Sequence, residues 1–281
     1  MGGESIPSGK ESVSGKQSAE VHQPLDVLIA VRYPAPWFRE TLEGLSRQTF
    51  SDFSIVLVIH GCDIGLSKLA QSYFPYLQVV LCTEHVELSE VRDAGLNQCS
   101  APLVAVIDSD DVPLPNRFEK QVSFLGVNRD VAMVTSPLNE INELGFLTGK
   151  SRGSQRTFGF KQLMIFRNSV GHSSVMFRRE IAQSVGGYRQ GTSGVDDYDL
   201  WLRISVHHRI GILNSCETLY RVHEHQTSKK LIVNAVGLDK LLESRLALAR
   251  PQHVPRVIVQ GMHYLWTKKY IRSFALRSDI E

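Results

Sequence analysis

Between residues 26 and 107 the chain alternates four short apolar, β-branched runs (27–31, 53–59, 77–81 and 103–107) with three amphipathic stretches (37–47, 66–73 and 88–98). Such a series leaves few options, because strands joined through helices lie parallel in one sheet with the helices covering its faces. Pro36 is placed to open the first helix, where its missing N–H costs nothing, and Ser89 to cap the third. The expected fold is α/β, a mostly parallel Rossmann-like sheet flanked by helices. A chain of 281 residues is long enough to bury such a core.

The fourth run ends in Asp108-Ser109-Asp110-Asp111-Val112-Pro113. Ligands of open α/β sheets bind beyond the carboxyl ends of the strands, so these acids stand at the binding edge. Three carboxylates crowded there repel one another unless a cation neutralises them, and hard oxygen ligands suit Mg²⁺ or Mn²⁺. The implied chemistry is a metal held to bind phosphate. The plain structural alternative, an Asx-turn closing the strand, needs fewer acids.

Farther along, the pattern predicts a helix over 116–125, a strand over 131–135, and a loop or short hairpin near the site within the weakly periodic 136–156. A strand at 173–177, a short helix at 178–185, a Gly186-Gly187 break and a helix over 196–207 follow. Strand-like pieces at 210–213 and 218–222 complete the body. Two further helices, 236–248 and 254–271, close the chain. The second sets Arg256, His263, Lys268, Lys269 and Arg272 beside Val257, Met262, Leu265 and Trp266. It either packs on the core, the commoner fate of a basic amphipathic helix, or makes peripheral contact with a membrane.

Residues 1–23 are rich in Gly, Ser, Lys and Glu and read as a disordered tail. Thirty-one basic against 29 acidic side chains, a formal net charge of +2, exclude a nucleic-acid binder that works by bulk charge. Cys62, Cys82, Cys99 and Cys216 lack metal-ligand spacing and fit a reducing compartment. With no segment of transmembrane length and no signal-peptide core, the expected location is cytoplasmic, either free or peripheral at the inner face of the membrane.

Several motifs, in order, carry a resemblance. They are Leu42 to Phe50 with its Gln48-Thr49 ending, Glu90-Val91-Arg92-Asp93-Ala94-Gly95, and Ile107-Asp108-Ser109-Asp110-Asp111 with Pro115. Gly186-Gly187-Tyr188-Arg189, Asp196-Asp197-Tyr198-Asp199-Leu200-Trp201 and the segment from Tyr220 to Ser228 follow. The chain resembles the family-2 glycosyltransferases, inverting, nucleotide-sugar-dependent enzymes of the GT-A fold. The resemblance implies a GT-A domain over 24–228 with a C-terminal helical extension over 229–281. It also implies a nucleoside-diphosphate sugar donor, Mn²⁺ or Mg²⁺ as cofactor, and a hydroxyl-bearing saccharide or lipid-linked acceptor, as in polysaccharide or glycolipid synthesis.

An inverting transfer needs a cation for the leaving diphosphate and a base opposite it for the acceptor hydroxyl. The resemblance makes Asp110 the direct metal ligand, with Asp108 on the ribose or metal, Asp111 able to do either, and His223 approaching the metal or diphosphate. Arg92 and Arg221 are candidates for the donor's phosphates, Arg92 otherwise pairing with Glu90 or Asp93. Asp197 is the candidate base and Asp199 the reserve, although acids in a first helical turn also complement the helix dipole. Trp201 falls on core spacing, and His172 is expected to be a satisfied buried histidine.

Two departures stand out. Val58-Ile59-His60-Gly61-Cys62-Asp63 replaces the family's usual acidic segment after the second strand, leaving recognition of the base altered or resting on Asp63. Arg32 adds positive charge at the end of the first strand. Two other readings compete. Asp108-Ser109-Asp110-Asp111-Val112 fits the opening of haloacid-dehalogenase-like phosphatases, whose first Asp is a nucleophile, and the departures admit a catalytically silent nucleotide-sugar-binding module.

Overall fold

The computed structural model describes residues 24–61, 63–154, 159–224, 226 and 235–278, with side chains described as far as Lys268. The expected tail over 1–23 and the proposed boundary at 228 lie outside the described residues.

The first half builds as its alternation predicts. Strands β1 (Leu25–Arg32), β2 (Phe53–His60), β3 (Gln78–Cys82) and β4 (Leu103–Asp108) are separated by helices α1 (Phe38–Ser46), α2 (Ile64–Tyr73) and α3 (Leu88–Gln98). β1 runs parallel to both β2 and β4, and β2 runs parallel to β3. Buried on both faces, β1, β2 and β4 read as continuous apolar runs rather than as alternating ones. Gly95 lets α3 lie directly on the sheet, since a Cβ there would stand 2.3 Å from Leu28 and 2.5 Å from Val58. The third helix is capped by Glu87 in a reciprocal capping box with Glu90, two positions before the expected Ser89, which is buried.

The two-residue strand β5 (Val112–Pro113) follows the acid segment, then α4 (Arg117–Val127), β6 (Val131–Thr135), the hairpin β7 (Leu138–Ile141) and β8 (Leu147–Arg152), and α5 (Phe160–Phe166). A 3₁₀ turn (His172–Ser174) takes up the start of the strand expected at 173–177. The strand proper is β9 (Met176–Arg178), followed by α6 (Arg179–Ser184), α7 (Asp196–His207), β10 (Arg209–Ile212) and β11 (Thr218–Arg221).

The main sheet has the order β10-β6-β9-β4-β1-β2-β3. β9 enters it antiparallel to both β4 and β6, while β10 pairs parallel with β6. A second sheet, β5-β11-β7-β8, stands over the carboxyl edge of the first and brings β11 beside the acid segment. The motif residues Gln48 and Thr49 brace that edge. Gln48 donates to the carbonyls of Gly44 and Leu114 and accepts from the Phe118 N–H, and the Thr49 N–H bonds Pro115 O.

Helices α8 (Ala235–Ala249) and α9 (Arg256–Ser278) pack on the body. Leu241, Leu248 and Val259 share one apolar core with Trp201, Tyr198 and Phe177. Cys82, Cys99 and Cys216 are free thiols.

Candidate active site

A cleft of roughly 1170 Å³ opens over the carboxyl ends of β1, β2 and β4. Its wall includes Arg32, Trp37, His60, Arg92, Asp108, Asp110, Arg152, His172, Asp196, Asp197 and His223. Three acids arrive from the end of β4 and three from the start of α7. Each trio divides its labour.

At the β4 end, Asp111 is fully buried and accepts the Arg221 N–H at 2.8 Å. Burial, together with the negative charges of Asp110 and Asp108, pushes its carboxyl well above the usual range. Asp111 does not reach the cleft, which corrects the expectation that it binds the donor. Arg221 is corrected with it. Its guanidinium is also wholly buried, donating to the carbonyls of Asp110, Asn142 and Glu143 and pairing with Glu40. It pins the acid segment, the turn of the β7–β8 hairpin and α1 together, with no donor left facing a phosphate.

Asp108 is satisfied within the protein. Its Oδ1 accepts from Arg92 Nη2 (3.1 Å) and His172 Nδ1 (3.0 Å), and its Oδ2 from Ser173 Oγ (3.1 Å). Burial opposes its ionisation, but His172, then Arg92 and Ser173, outweigh that cost and hold its carboxyl well below the ordinary range. On the other side of its ring, His172 Nε2 lies 3.1 Å from the Tyr188 hydroxyl oxygen. It is the satisfied histidine expected, yet it also lines the cleft.

Arg92 joins the two trios. Nη1 donates to Asp196 Oδ2 at 2.6 Å while Nη2 holds Asp108, so its partners are neither Glu90 nor Asp93. Asp93 instead accepts the Tyr188 N–H at 2.9 Å beside Gly187, whose φ of +56° and closeness to Asp93 admit no side chain. Both Nη groups of Arg92 are committed to carboxylates, so its expected grip on the diphosphate gives way to a bridge.

At the α7 end, Asp199 is buried and bonded by Arg189 (2.6 and 3.0 Å), Arg203 (2.9 Å) and Ser244 (2.7 Å). That ion cluster ties α7 to α8 and removes Asp199 as the reserve base. Asp197 faces the cleft, accepting the Tyr198 N–H at 2.6 Å. No ion pair to Asp197 is formed among the described residues. Burial, then the neighbouring Asp196, raises its pKa, with His172, Arg92 and the Tyr198 N–H opposing. Trp201 is fully buried with His172, Phe177 and Tyr188 around its ring, and belongs to the core.

Asp110 also faces the cleft. His223 Nε2 lies 2.8 Å from its Oδ2, and the His223 ring packs on Trp37, tilted by 41° with centroids 4.3 Å apart. Adjacent ligands of an octahedral ion with bonds of about 2.1 Å stand about 3 Å apart, so this pair fits two positions on one divalent cation. Asp108 is held by three hydrogen bonds, two on Oδ1 and one on Oδ2, and keeps acceptor capacity on Oδ2. Among the described residues no cluster of three or more His, Cys, Asp or Glu is arranged to hold an ion. A cation here therefore needs oxygens from a bound molecule, the usual situation of Mg²⁺ at phosphates.

Toward β3 the cleft is edged by His60, which pairs in register with Arg32. Burial and then Arg32 lower the His60 pKa, with backbone groups of Glu84 and Val86 opposing. Asp63 serves elsewhere, capping α2 through the Gly65 and Leu66 N–H groups. Sequence reasoning missed Tyr188, Ser173 and the Trp37 platform. Only the Gly-Gly-Tyr spacing hinted at the first.

Comparison with known proteins agrees with this architecture. Residues 26–186 match the model of glycosyl transferase family 2. The amylovoran biosynthesis glycosyltransferase AmsE of Erwinia amylovora is 32% identical over 217 residues, 74% of this chain and 80% of that one. The O-antigen biosynthesis glycosyltransferase WbnJ of Escherichia coli is 27% identical over 216 residues, covering 74% and 83%. The structure of S. aureus TarS 1–349 in complex with UDP-GlcNAc superposes with a TM-score of 0.67 at 12% identity, covering 85% of this chain and 70% of that one, and shares its GT-A fold. The phosphatase reading falls accordingly, and geometry agrees, since both oxygens of its would-be nucleophile Asp108 are already engaged. The chain belongs to glycosyl transferase family 2 and is a glycosyltransferase.

Proposed function

We propose that the chain transfers a sugar, with inversion, from a nucleoside-diphosphate donor to a hydroxyl of a saccharide or lipid-linked saccharide acceptor in polysaccharide or glycolipid synthesis. One observation carries the reading. Of the six acids in the two trios, Asp110 and Asp197 alone face the cleft without being locked to an arginine or sealed in the core.

Asp197 is the base. It accepts the acceptor's proton as that oxygen attacks the anomeric carbon, and its raised pKa brings it nearer the operating pH. Asp110 and His223 would hold Mn²⁺ or Mg²⁺, which when bound offsets negative charge developing on the leaving diphosphate. Asp108 stays ionised and fixes Arg92, and Arg92 fixes Asp196, so the two cleft-facing acids keep their separation. Trp37 holds the His223 ring. The names of AmsE and WbnJ, proteins of amylovoran and O-antigen biosynthesis, support a polysaccharide setting, and the TarS complex with UDP-GlcNAc supports a nucleotide-sugar donor.

Calorimetric titration with UDP, GDP and dTDP, each with Mn²⁺ and again with a chelator, tests this. One nucleotide should bind, about tenfold or more weakly once the cation is chelated or when Asp110 is replaced by Ala. Binding of none, or binding indifferent to both chelator and Asp110→Ala, would overturn the metal assignment.

A further inference from the structure

Helix α9 has two unlike sides. Val259 and His263, one turn apart, are buried on the body, where Arg245 of α8 meets His263 Nδ1 at 3.0 Å and lies 4.9 Å from the Trp266 ring. On the opposite side Val257, Ile258, Met262, Tyr264 and Leu265 are all exposed, Val257 by 73% and Leu265 by 60%. At helical spacing these five form one strip, where a solvent-facing helix surface ordinarily carries polar side chains.

Charge singles the helix out further. Arg256–Ser278 contains Arg256, Lys268, Lys269, Arg272 and Arg277 and not one Asp or Glu. Arg256 and Lys268 are exposed at either end of the apolar strip, and Lys268 Nζ lies 4.6 Å from the Tyr264 ring. No helix among the described residues is long and apolar enough to cross a membrane.

We propose that this side of α9 docks on an anionic phospholipid surface, its apolar strip entering the headgroup–acyl boundary and its basic residues meeting lipid phosphates. The charge count selects this occupant over a second copy of the chain. Two copies meeting through this strip would bring the Lys268 of each to an interface to which neither helix contributes an acid. α9 also touches α5, which runs directly into the cleft wall at Arg167–His172, so a docked helix holds the cleft beside the bilayer, where a lipid-linked acceptor would present its sugar. That last consequence rests on the acceptor proposed above; the docking itself does not.

The test is co-sedimentation of the full chain with vesicles of phosphatidylcholine alone and of phosphatidylcholine with about a third phosphatidylglycerol. Binding is expected on the anionic vesicles, weakening with salt. The double variant Val257→Glu with Leu265→Glu should lower it about tenfold or more, and Lys268→Glu should lower it less. Both exposed changes should leave the melting temperature and the metal-dependent nucleotide titration as in the parent chain. Failure of that titration, by contrast, would count against the catalytic assignment and not against docking. Binding that is unaltered in the double variant overturns the proposal, as does absence of binding to anionic vesicles. Sedimentation velocity distinguishes the second copy: a dimer dissolved by the double variant, without vesicle binding, would assign the strip to self-association.

Discussion

The acid trio after β4 and the acid trio opening α7 are built to one plan and differ at one point. In each, one carboxylate is sealed in the core, Asp111 under Arg221 and Asp199 among Arg189, Arg203 and Ser244. One in each is an end of the Arg92 bridge, Asp108 and Asp196. One in each faces the cleft, Asp110 and Asp197. The difference lies in what accompanies the third. Asp110 has an imidazole at 2.8 Å, whereas Asp197, among the described residues, has only the neighbouring backbone N–H. A carboxylate beside a second neutral donor can share a cation, and one left without a cationic partner in a buried setting holds its proton more readily. Binding and proton transfer thus separate by neighbours rather than by residue type.

Asp197→Asn breaks the comparison most sharply. It should lower transfer by about 10²- to 10⁴-fold while Mn²⁺-dependent nucleotide affinity changes little. Single-turnover transfer measured beside calorimetry checks this, and equal losses in both would place Asp197 on the donor side. Asp199→Ala tests the sealed members. It strands Arg189 and Arg203 without their shared counter-charge and should cost about 3–5 kcal/mol of stability, read as denaturant midpoint. An unchanged midpoint would return Asp199 to the list of candidate bases.

Arg92→Gln sharpens the comparison more gently. An amide carries no charge, so the positive charge that lowers the Asp197 pKa is lost. The sign follows from that direction. The base must be ionised to work, its folded pKa already lies above the ordinary carboxylate value, and losing Arg92 raises it further. The acid limb of the pH–rate profile should therefore move to higher pH, with the plateau rate less affected. A limb that stays in place, or moves down, removes Arg92 from the bridge role.

Much of the scaffold was legible in residue order. The alternation from β1 to β4 is local, and each run carries its own periodicity, so the parallel half of the sheet and its binding edge could be read directly. β5 could not, because two residues hold no period; it exists through its pairing with β11. The acid segments were visible as segments, but their internal division was not. Asp108 and Asp196 look like their neighbours until Arg92 is seen between them, and Arg92 and Asp196 are 104 positions apart in the chain. Arg221 reads equally well as a phosphate ligand or as a buried hub, and only its complete burial separates the two. Asp63 illustrates the opposite case. Its place just before a helix carried the N-cap signal, and the cap outcompeted the binding role.

The position of β9 has a consequence for the order in which the molecule can be made. It is the sole link between the β3-β2-β1-β4 half of the main sheet and the β6-β10 pair, yet it is synthesised after β6. On a ribosome the first four strands can assemble as each emerges, while β6 waits with an open edge until residues 176–178 clear the exit tunnel and slot in beside it. That interval, some forty residues of synthesis and so seconds at ordinary elongation rates of about 5–20 residues per second, is when the nascent chain exposes its least protected strand edge.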